Sequence, residues 1–507
     1  MQAALKIEWK KLHFVLLPIF FIIHNYFDFK GLLDFSKLKL SMLWWMLAPV
    51  VLFLIFKKLF KSTSKASLMS TLLLFVYFFS PALIYAVKEI NFISFLGKYS
   101  VALPLTAFIS SVLFIHLYKT KKEYNRLHNY LTSALVLLLA TELILYAPKK
   151  NEWFETKTSF KTIDTPQLIP VAVDTSRPDI YFLIFDEHPS TASIKRITGF
   201  NNSKLDDTLG KLGFNVSQNA TSGFAKTIPA LCSLFDLGFY PYNEQTNTSF
   251  KEIYGAKKLL SNNRLFPFLQ NAGYTIINAS TFEFKNINSL ETPKEWWGQA
   301  EDMIRNQTLF RKLNEDIGWL KALYFPSVFS NPVQASMKAD ADLVMKAKAT
   351  VDSCVQLPSN QQKLVFAHFF LPHDPYKYDS TGNLNNWNYK EYLRNIRTSA
   401  PFIQQLVYTR NFITNIANTI LTKNKRPAII IIQGDHGLRV YDQKKFSKQE
   451  MFNIFSAVFV PDKRVDLFKN DHFAPNTFRI LLNIYFQQQL TIQQPWHITL
   501  ESKISDH

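Results

Sequence analysis

Three short clusters in this 507-residue sequence hold residue types that bind metals and move phosphoryl groups. They are Asp186-Glu187-His188, Pro372-His373-Asp374-Pro375-Tyr376 and Gly434-Asp435-His436-Gly437. One such cluster alone is an ordinary turn, because Asp, Pro and Gly are turn residues. Three of them, each closing a short apolar run, point to chemistry if the runs are neighbouring strands. A carboxylate with an Asp-His pair is a hard oxygen and nitrogen ligand set suited to one divalent ion, Zn, Mn or Mg. Gly434 and Gly437 let the Asp435-His436 turn approach such an ion closely. The ion needs a nucleophile to act on, and residues 221–235 (TSGFAKTIPALCSLF) offer one. Thr227, with Pro229 behind it, has the pattern of a helix N-cap. Unpaired backbone N–H groups and the positive end of the helix dipole favour an alkoxide and an incoming phosphate there. Metal coordination would lower the hydroxyl pKa further. On local sequence alone, a plain cap is the simpler account of Thr227.

The elements that must position these clusters are legible around them. Residues 179–185 (DIYFLIF) form a continuous apolar run, the pattern of a strand buried on both faces. Similar runs follow at 274–279, 363–371 (KLVFAHFFL) and 427–433 (PAIIIIQ), with a candidate fifth at 453–460. Helix-like segments lie between them at 205–212, 259–272, 335–355, 396–421 and 475–486. This alternation predicts an α/β domain with a mostly parallel central sheet and helices on both faces. Ligands of such sheets bind beyond the carboxyl ends of the strands, which is where the clusters fall.

Upstream the texture differs. Five apolar stretches, near 12–27, 40–56, 66–87, 99–118 and 129–147, predict an all-α transmembrane bundle of about five helices over residues 1–147. The first is the weakest, being short and carrying His13, His24 and Asn25. Glu142, near the end of the fifth, is expected to be solvated or paired. Residues 148–177 read as a juxtamembrane linker, with an interfacial helix near Trp153 and Phe154, and 178–507 as the catalytic domain. Positive charges decide the orientation. Lys6, Lys10, Lys11, Lys57, Lys58, Lys61, Lys65, Lys119, Lys121, Lys122 and Arg126 fall on one side, against Lys30, Lys37, Lys39, Lys88 and Lys98 on the other. The positive-inside rule then puts the N-terminus in the cytoplasm and the catalytic domain outside it, periplasmic if the membrane is a bacterial inner membrane.

The net charge of +18 fits membrane-flanking lysines and anionic, phosphate-bearing partners. The lysines are dispersed and no nucleic-acid-binding pattern occurs, so nucleic acid is excluded as a partner. Two cysteines, Cys232 and Cys354, exclude a thiolate metal site and leave room for one disulfide.

The segments FLIFDEH, AKTIPALCSLF, HFFLPHDPY, IIQGDHGLR and NTFRILLNIYF together resemble the sulfatase-like branch of the alkaline phosphatase superfamily, over roughly residues 178–490. With the N-terminal spans, the chain resembles lipoteichoic acid synthase and the lipid A phosphoethanolamine transferases of that branch. The resemblance implies that Thr227 is the nucleophile and a metal ligand. It implies Asp435 and His436 as ligands with one carboxylate from the first cluster, Glu187 in preference to Asp186. His373 matches the histidine facing the nucleophile, which binds a phosphoryl oxygen or protonates the leaving group. Lys226, Arg439 and His472 are possible phosphate contacts read as surface or supporting residues, and His368 is read as core. Asp374, His368 and His472 are only loose candidates for a second ion. Sulfatases require a Cys or Ser in a C/S-x-P-x-R context; Thr227-Ile-Pro-Ala-Leu keeps only the proline, which disfavours sulfate-ester hydrolysis. The expectation is a membrane enzyme of the cell envelope. It moves a phosphoethanolamine- or phosphoglycerol-type group from a lipid donor to a glycan or lipid acceptor. A phosphodiesterase, phosphatase or sulfatase-like hydrolase, or a silent envelope scaffold, is the alternative.

Overall fold

The computed structural model describes residues 8–28, 39–146, 166–238, 250–290, 304–318, 320, 332–358, 362–396, 398–439, 447–462, 468 and 470–499. The interfacial helix expected near Trp153 and Phe154 lies outside them. The chain divides into two compact units, Met1–Thr158 with Lys294–Leu320, and Ser159–Pro293 with Lys321–His507.

The first unit holds α1 (His13–Asp28), α2 (Lys39–Phe60), α3 (Thr63–Lys88), α4 (Tyr99–Lys119) and α5 (Asn125–Tyr146). Thr63–Lys88, Tyr99–Lys119 and Asn125–Leu145 are long and apolar enough to cross a membrane; α1, at 16 residues, is apolar but short. Phe108, Leu137 and Ile144 are among the large apolar side chains left exposed on α4 and α5, as a lipid-facing surface requires. The polar residues that weakened the first stretch are satisfied locally. His13 Nε2 meets His128 Nδ1 at 2.7 Å, His13 Nδ1 meets Thr71 Oγ1 at 2.6 Å, and Asn25 donates to the Phe21 carbonyl. Glu142 pairs with His24 Nδ1 at 2.6 Å.

Residues 294–320, expected within the catalytic domain, instead group with these helices. The α-helix Leu309–Ile317 (α11 in chain order) packs on α3, and Asp316 accepts hydrogen bonds from Tyr85 (2.7 Å) and Tyr99 (2.5 Å). A surface helix seeks an apolar neighbour for its apolar stripe, and sequence position alone does not say which unit supplies it.

The second unit is built on six strands: β1 (Asp179–Phe185), β2 (Asn215–Val216), β3 (Thr275–Ala279), β4 (Lys363–Phe369), β5 (Ala428–Gly434) and β6 (Ser456–Phe459). Their order is β2-β6-β5-β1-β4-β3, with β5, β1, β4 and β3 parallel and β6 and β2 added antiparallel. The helices are α6 (Thr191–Thr198), α7 (Ser203–Lys211), α8 (Thr227–Phe235), α9 (Phe250–Ser261), α10 (Leu265–Asn271), α12 (Pro332–Cys354), α13 (Tyr389–Asn395), α14 (Ser399–Lys423) and α15 (Thr477–Phe486). All seven β1 residues are buried, and alternate side chains enter different cores. Ile180, Phe182 and Ile184 pack with α8, α10 and α15; Tyr181, Leu183 and Phe185 pack with α7, α12 and α14. Cys232 lies in the first core and Cys354 in the second, so the sheet separates them and the disulfide that the sequence allows does not form. Residues 166–177, read as linker, dock on this unit: Ile169 exchanges backbone hydrogen bonds with the Gln488 side chain, and Leu168 and Val171 pack on the first core.

The amino ends of the central strands are tied by charge. Asp179, fully buried, accepts from Lys363 Nζ (2.5 Å), Arg426 Nε (3.1 Å) and Asn424 Nδ2 (3.0 Å). Asp179→Ala would strand the buried Lys363 ammonium. It is expected to cost about 3–5 kcal/mol, read as a fall in the denaturation midpoint of the full chain.

Candidate active site

The order β5-β1-β4 brings the three clusters together at the carboxyl edge of the sheet. Asp186 and Glu187 follow β1, His373 and Asp374 follow β4, and Asp435 and His436 follow β5. Ligand atoms of Asp186, Asp435 and His436 lie within 4.8 Å of one another, all three side chains buried. His436 Nε2 is 3.7 Å from Asp186 Oδ1 and 3.4 Å from Asp435 Oδ2. Asp435 Oδ1 is occupied, accepting from the backbone N–H groups of Glu187 (3.0 Å) and His436 (2.9 Å). His436 Nδ1 meets the Gly437 carbonyl at 2.9 Å; that contact requires a proton on Nδ1 and leaves the Nε2 lone pair facing the carboxylates in the neutral ring. Asp186 Oδ1 and Asp435 Oδ2 are buried with no hydrogen-bond donor. Buried carboxylate oxygens without donors are costly unless a cation serves them. The residues present therefore fit a hard divalent ion held by Asp186, Asp435 and His436.

Thr227 joins this group, its Oγ1 3.3 Å from His436 Nε2. The structure corrects the expected cap: Lys226 holds the N-cap position of α8 without a side-chain cap bond, and Thr227 is the first helical residue. The threonine hydroxyl thus faces the cluster instead of closing the helix.

The sequence preference for Glu187 over Asp186 does not match the geometry of this group. Glu187 adopts a left-handed backbone (φ 58°), uncommon for a residue with a Cβ, and its carboxylate belongs to a second group with His373 and Asp374. Glu187 Oε2 is 3.7 Å from His373 Nε2, and His373 Nδ1 is 3.5 Å from Asp374 Oδ1. Arg439 completes this group. Its backbone N–H donates to Glu187 Oε1 (2.6 Å) and its Nη2 lies 3.3 Å from His373 Nε2. Behind it, fully buried Lys377 donates to the Phe370 carbonyl (2.7 Å) and lies 4.0 Å from Asp340, bracing the loop that carries His373.

Burial drives most of the electrostatics. It raises Asp186 to about 8, with neighbouring Asp435 pushing the same way. Burial works against Asp435 as well, but His436, His368 and the Glu187 N–H outweigh it and hold that carboxyl low. Burial lowers His436 to about 3, keeping its ring neutral and its Nε2 lone pair available to a cation. His373 differs: burial opposes its charge, yet Asp186, Glu187 and Asp374 raise it to about 9, so it carries a proton at neutral pH.

The remaining candidates divide clearly. His368 is core by burial, its ring edge-on to Phe282 and Phe370, but its Nε2 faces Asp186 Oδ2 at 3.7 Å. His472 is hydrogen-bonded to Thr477 (2.9 Å), which in turn donates to Gln433, and serves the fold. Arg439 and Asp374 are the residues that sequence reasoning undervalued. The only available signal was their place one or three positions beyond a strand-end histidine.

The glycines flanking Asp435-His436 serve backbone packing. A Cβ on Gly434 would lie 2.4 Å from the His188 carbonyl oxygen, and one on Gly437 would lie 2.1 Å from that of Glu450. Gly434→Ala or Gly437→Ala must displace the ligand turn. Both variants are expected to lower the thermal midpoint and metal affinity together, measured by melting with and without added metal.

No protein-family model matches the chain, and no curated protein matches it. Among solved structures, it is similar to the full-length lipooligosaccharide phosphoethanolamine transferase A of Neisseria meningitidis (10% identity, 93% of this chain and 95% of that one, TM-score 0.37). The periplasmic domain of the phosphoethanolamine transferase EptC of Campylobacter jejuni shares 12% identity over 63% of this chain and 92% of its own (TM-score 0.39). A 2-O glycosaminoglycan sulfatase, BT1596, shares 11% over 65% and 76% (TM-score 0.37). At such scores these likenesses decide nothing about the chemistry, which the chain's own residues must carry.

Proposed function

We propose that this chain is a membrane-anchored, metal-dependent transferase that moves a substituted phosphoryl group from a lipid phosphodiester to a hydroxyl acceptor through Thr227. The observation that carries the reading is the approach of the Thr227 hydroxyl to His436 within 3.3 Å, beside two buried carboxylate oxygens that lack donors. The motif resemblance supports the same assignment. Asp186, Asp435 and His436 would hold the divalent ion, which supplies Lewis-acid activation of the hydroxyl and of the phosphoryl group. Thr227 sits at the start of the nine-residue α8, where free backbone N–H groups favour phosphoryl oxygens.

In the first step the Thr227 oxygen attacks phosphorus and loses its proton to solvent. The phosphorus–oxygen bond to the lipid glycerol breaks as protonated His373 donates to the departing alkoxide. In the second step the acceptor hydroxyl attacks phosphorus and the now neutral His373 takes its proton, while the bond between phosphorus and the Thr227 oxygen breaks and that oxygen regains a proton from solvent. Loop charge favours an external catalytic unit, where lipid headgroups and envelope glycans are within reach.

The test is incubation of the detergent-purified full chain with phosphatidylethanolamine or phosphatidylglycerol, with and without a glycan acceptor. Intact mass identifies any group carried on Thr227. A labelled acceptor supports transfer; headgroup release that proceeds equally without acceptor replaces the transferase with a hydrolase.

A further inference from the structure

We propose that Arg439 is the anion clamp of this site, a guanidinium tethered by buried Glu187 and set against His373 to receive the non-bridging oxygens of the phosphoryl group. This rests on the phosphoryl-transfer reading above and assigns a role to the acidic residue that the metal cluster leaves out.

The tether is built from both ends of the arginine. Its backbone N–H donates to Glu187 Oε1 at 2.6 Å, and its Nε lies 3.6 Å from the same oxygen. The Glu187 side chain is 1% exposed, whereas that of Arg439 is 31% exposed. A buried carboxylate therefore anchors a guanidinium whose outer part remains open. A guanidinium has five N–H donors and no acceptor. Here Nε faces Glu187, Nη2 faces His373, and Nη1 has no partner among the described residues. Planar paired donors of this kind match the oxygens of a phosphoryl group, which a lysine meets only as a point charge. The clamp also lies beside the ligand cluster, because the Glu187 backbone N–H donates to Asp435 Oδ1.

Glu187, His373 and Asp374 are close enough together to suggest a second metal ion. Arg439 argues against it, since its guanidinium already stands 3.6 Å from Glu187 and 3.3 Å from His373. The positive charge this group calls for is supplied by the chain itself.

The experiment uses the full-length protein in detergent, loaded with Zn or Mn. Inorganic phosphate is titrated by calorimetry, and bound metal is counted by elemental analysis. Arg439→Ala is expected to weaken phosphate binding by about tenfold or more, with bound metal unchanged. Arg439→Lys should recover part of the loss, and Glu187→Gln should weaken phosphate binding while keeping the metal. Wild-type phosphate affinity in a metal-replete Arg439→Ala protein overturns the proposal. Loss of metal in Glu187→Gln also overturns it, because Glu187 would then be a ligand. Should Arg439→Ala not fold, Arg439→Lys decides: an affinity equal to wild type sinks the clamp. Failure of the transferase reading shows elsewhere, as turnover that survives Thr227→Ala, and leaves this phosphate measurement intact.

Discussion

Thr227→Ala is expected to reduce headgroup transfer by about a thousandfold or more, while the protein folds and binds its metal as before. The size follows from chemistry, since no other hydroxyl is placed against His436 Nε2 among the described residues. The clean separation from stability follows from structure. The hydroxyl does not cap α8, so its removal breaks no cap, and the thermal midpoint should barely move. Thr227→Ser, which keeps an alcohol, should retain measurable turnover. Wild type exposed to donor lipid alone should gain the mass of the transferred group, and Thr227→Ala should gain none. Transfer in the alanine variant at anything near the wild-type rate would remove Thr227 from the mechanism.

Stripping the metal, or replacing Asp435 with Asn, should abolish turnover and lower stability as well. An ion present at about a thousand times its dissociation constant stabilises the folded state by about 4 kcal/mol. Asp435→Asn should weaken metal binding at least about a hundredfold, because it removes the charge of the one carboxyl held low in the cluster. The pH dependence has a definite sign. Asp186 stands at about 8 without metal, so at pH 7 it keeps a proton that an incoming ion must displace. Metal affinity should therefore rise with pH up to about 8 and then level off. Metal uptake at pH 7 should release close to one proton, detected by calorimetry in buffers of different ionisation enthalpy. An unfolded aspartate titrates near 4, so the folded metal-free protein binds the extra proton. That contribution to stability is complete below about 4 and is lost as pH rises through about 8. The thermal gap between metal-loaded and stripped protein should widen across this window; a gap that stays constant with pH would contradict the assignment of Asp186.

The sheet was legible because β1, β4 and β5 are buried on both faces and so appear as unbroken apolar runs ending in polar clusters. The two-residue strand β2 was not, since Asn215 and Val216 carry no periodicity and pair only because β6 offers an edge. The extended helix-like segment 259–272 resolves into parts of α9 and α10, with Asn263 and Arg264 at the break. Within the candidate site, residue types marked three strand ends that the sheet brings together, but not the direction each side chain takes. Asp186 and Glu187 are adjacent acids, and only the left-handed turn at Glu187 sends one to His436 and the other to Arg439. The Thr227 pattern resembles a cap because hydroxyls just ahead of a helical proline commonly serve as one. The helix begins one residue earlier than a Thr227 cap requires, which frees the hydroxyl. The partner unit of the helix Leu309–Ile317 is not legible in the sequence, because amphipathicity names a face and not its partner.

The placement of β1 between β4 and β5 also bears on how the protein matures. Glu187 and Asp435, which meet through one hydrogen bond, stand 248 positions apart. Contacts at such separation form late and slowly, after the intervening chain has collapsed. During synthesis the ribosome must therefore release most of the polypeptide before any ion-binding pocket exists. A chain truncated ahead of β5 would carry the threonine and the first carboxylate yet remain metal-free. On the proposed assignment, metal occupancy would report completed topology.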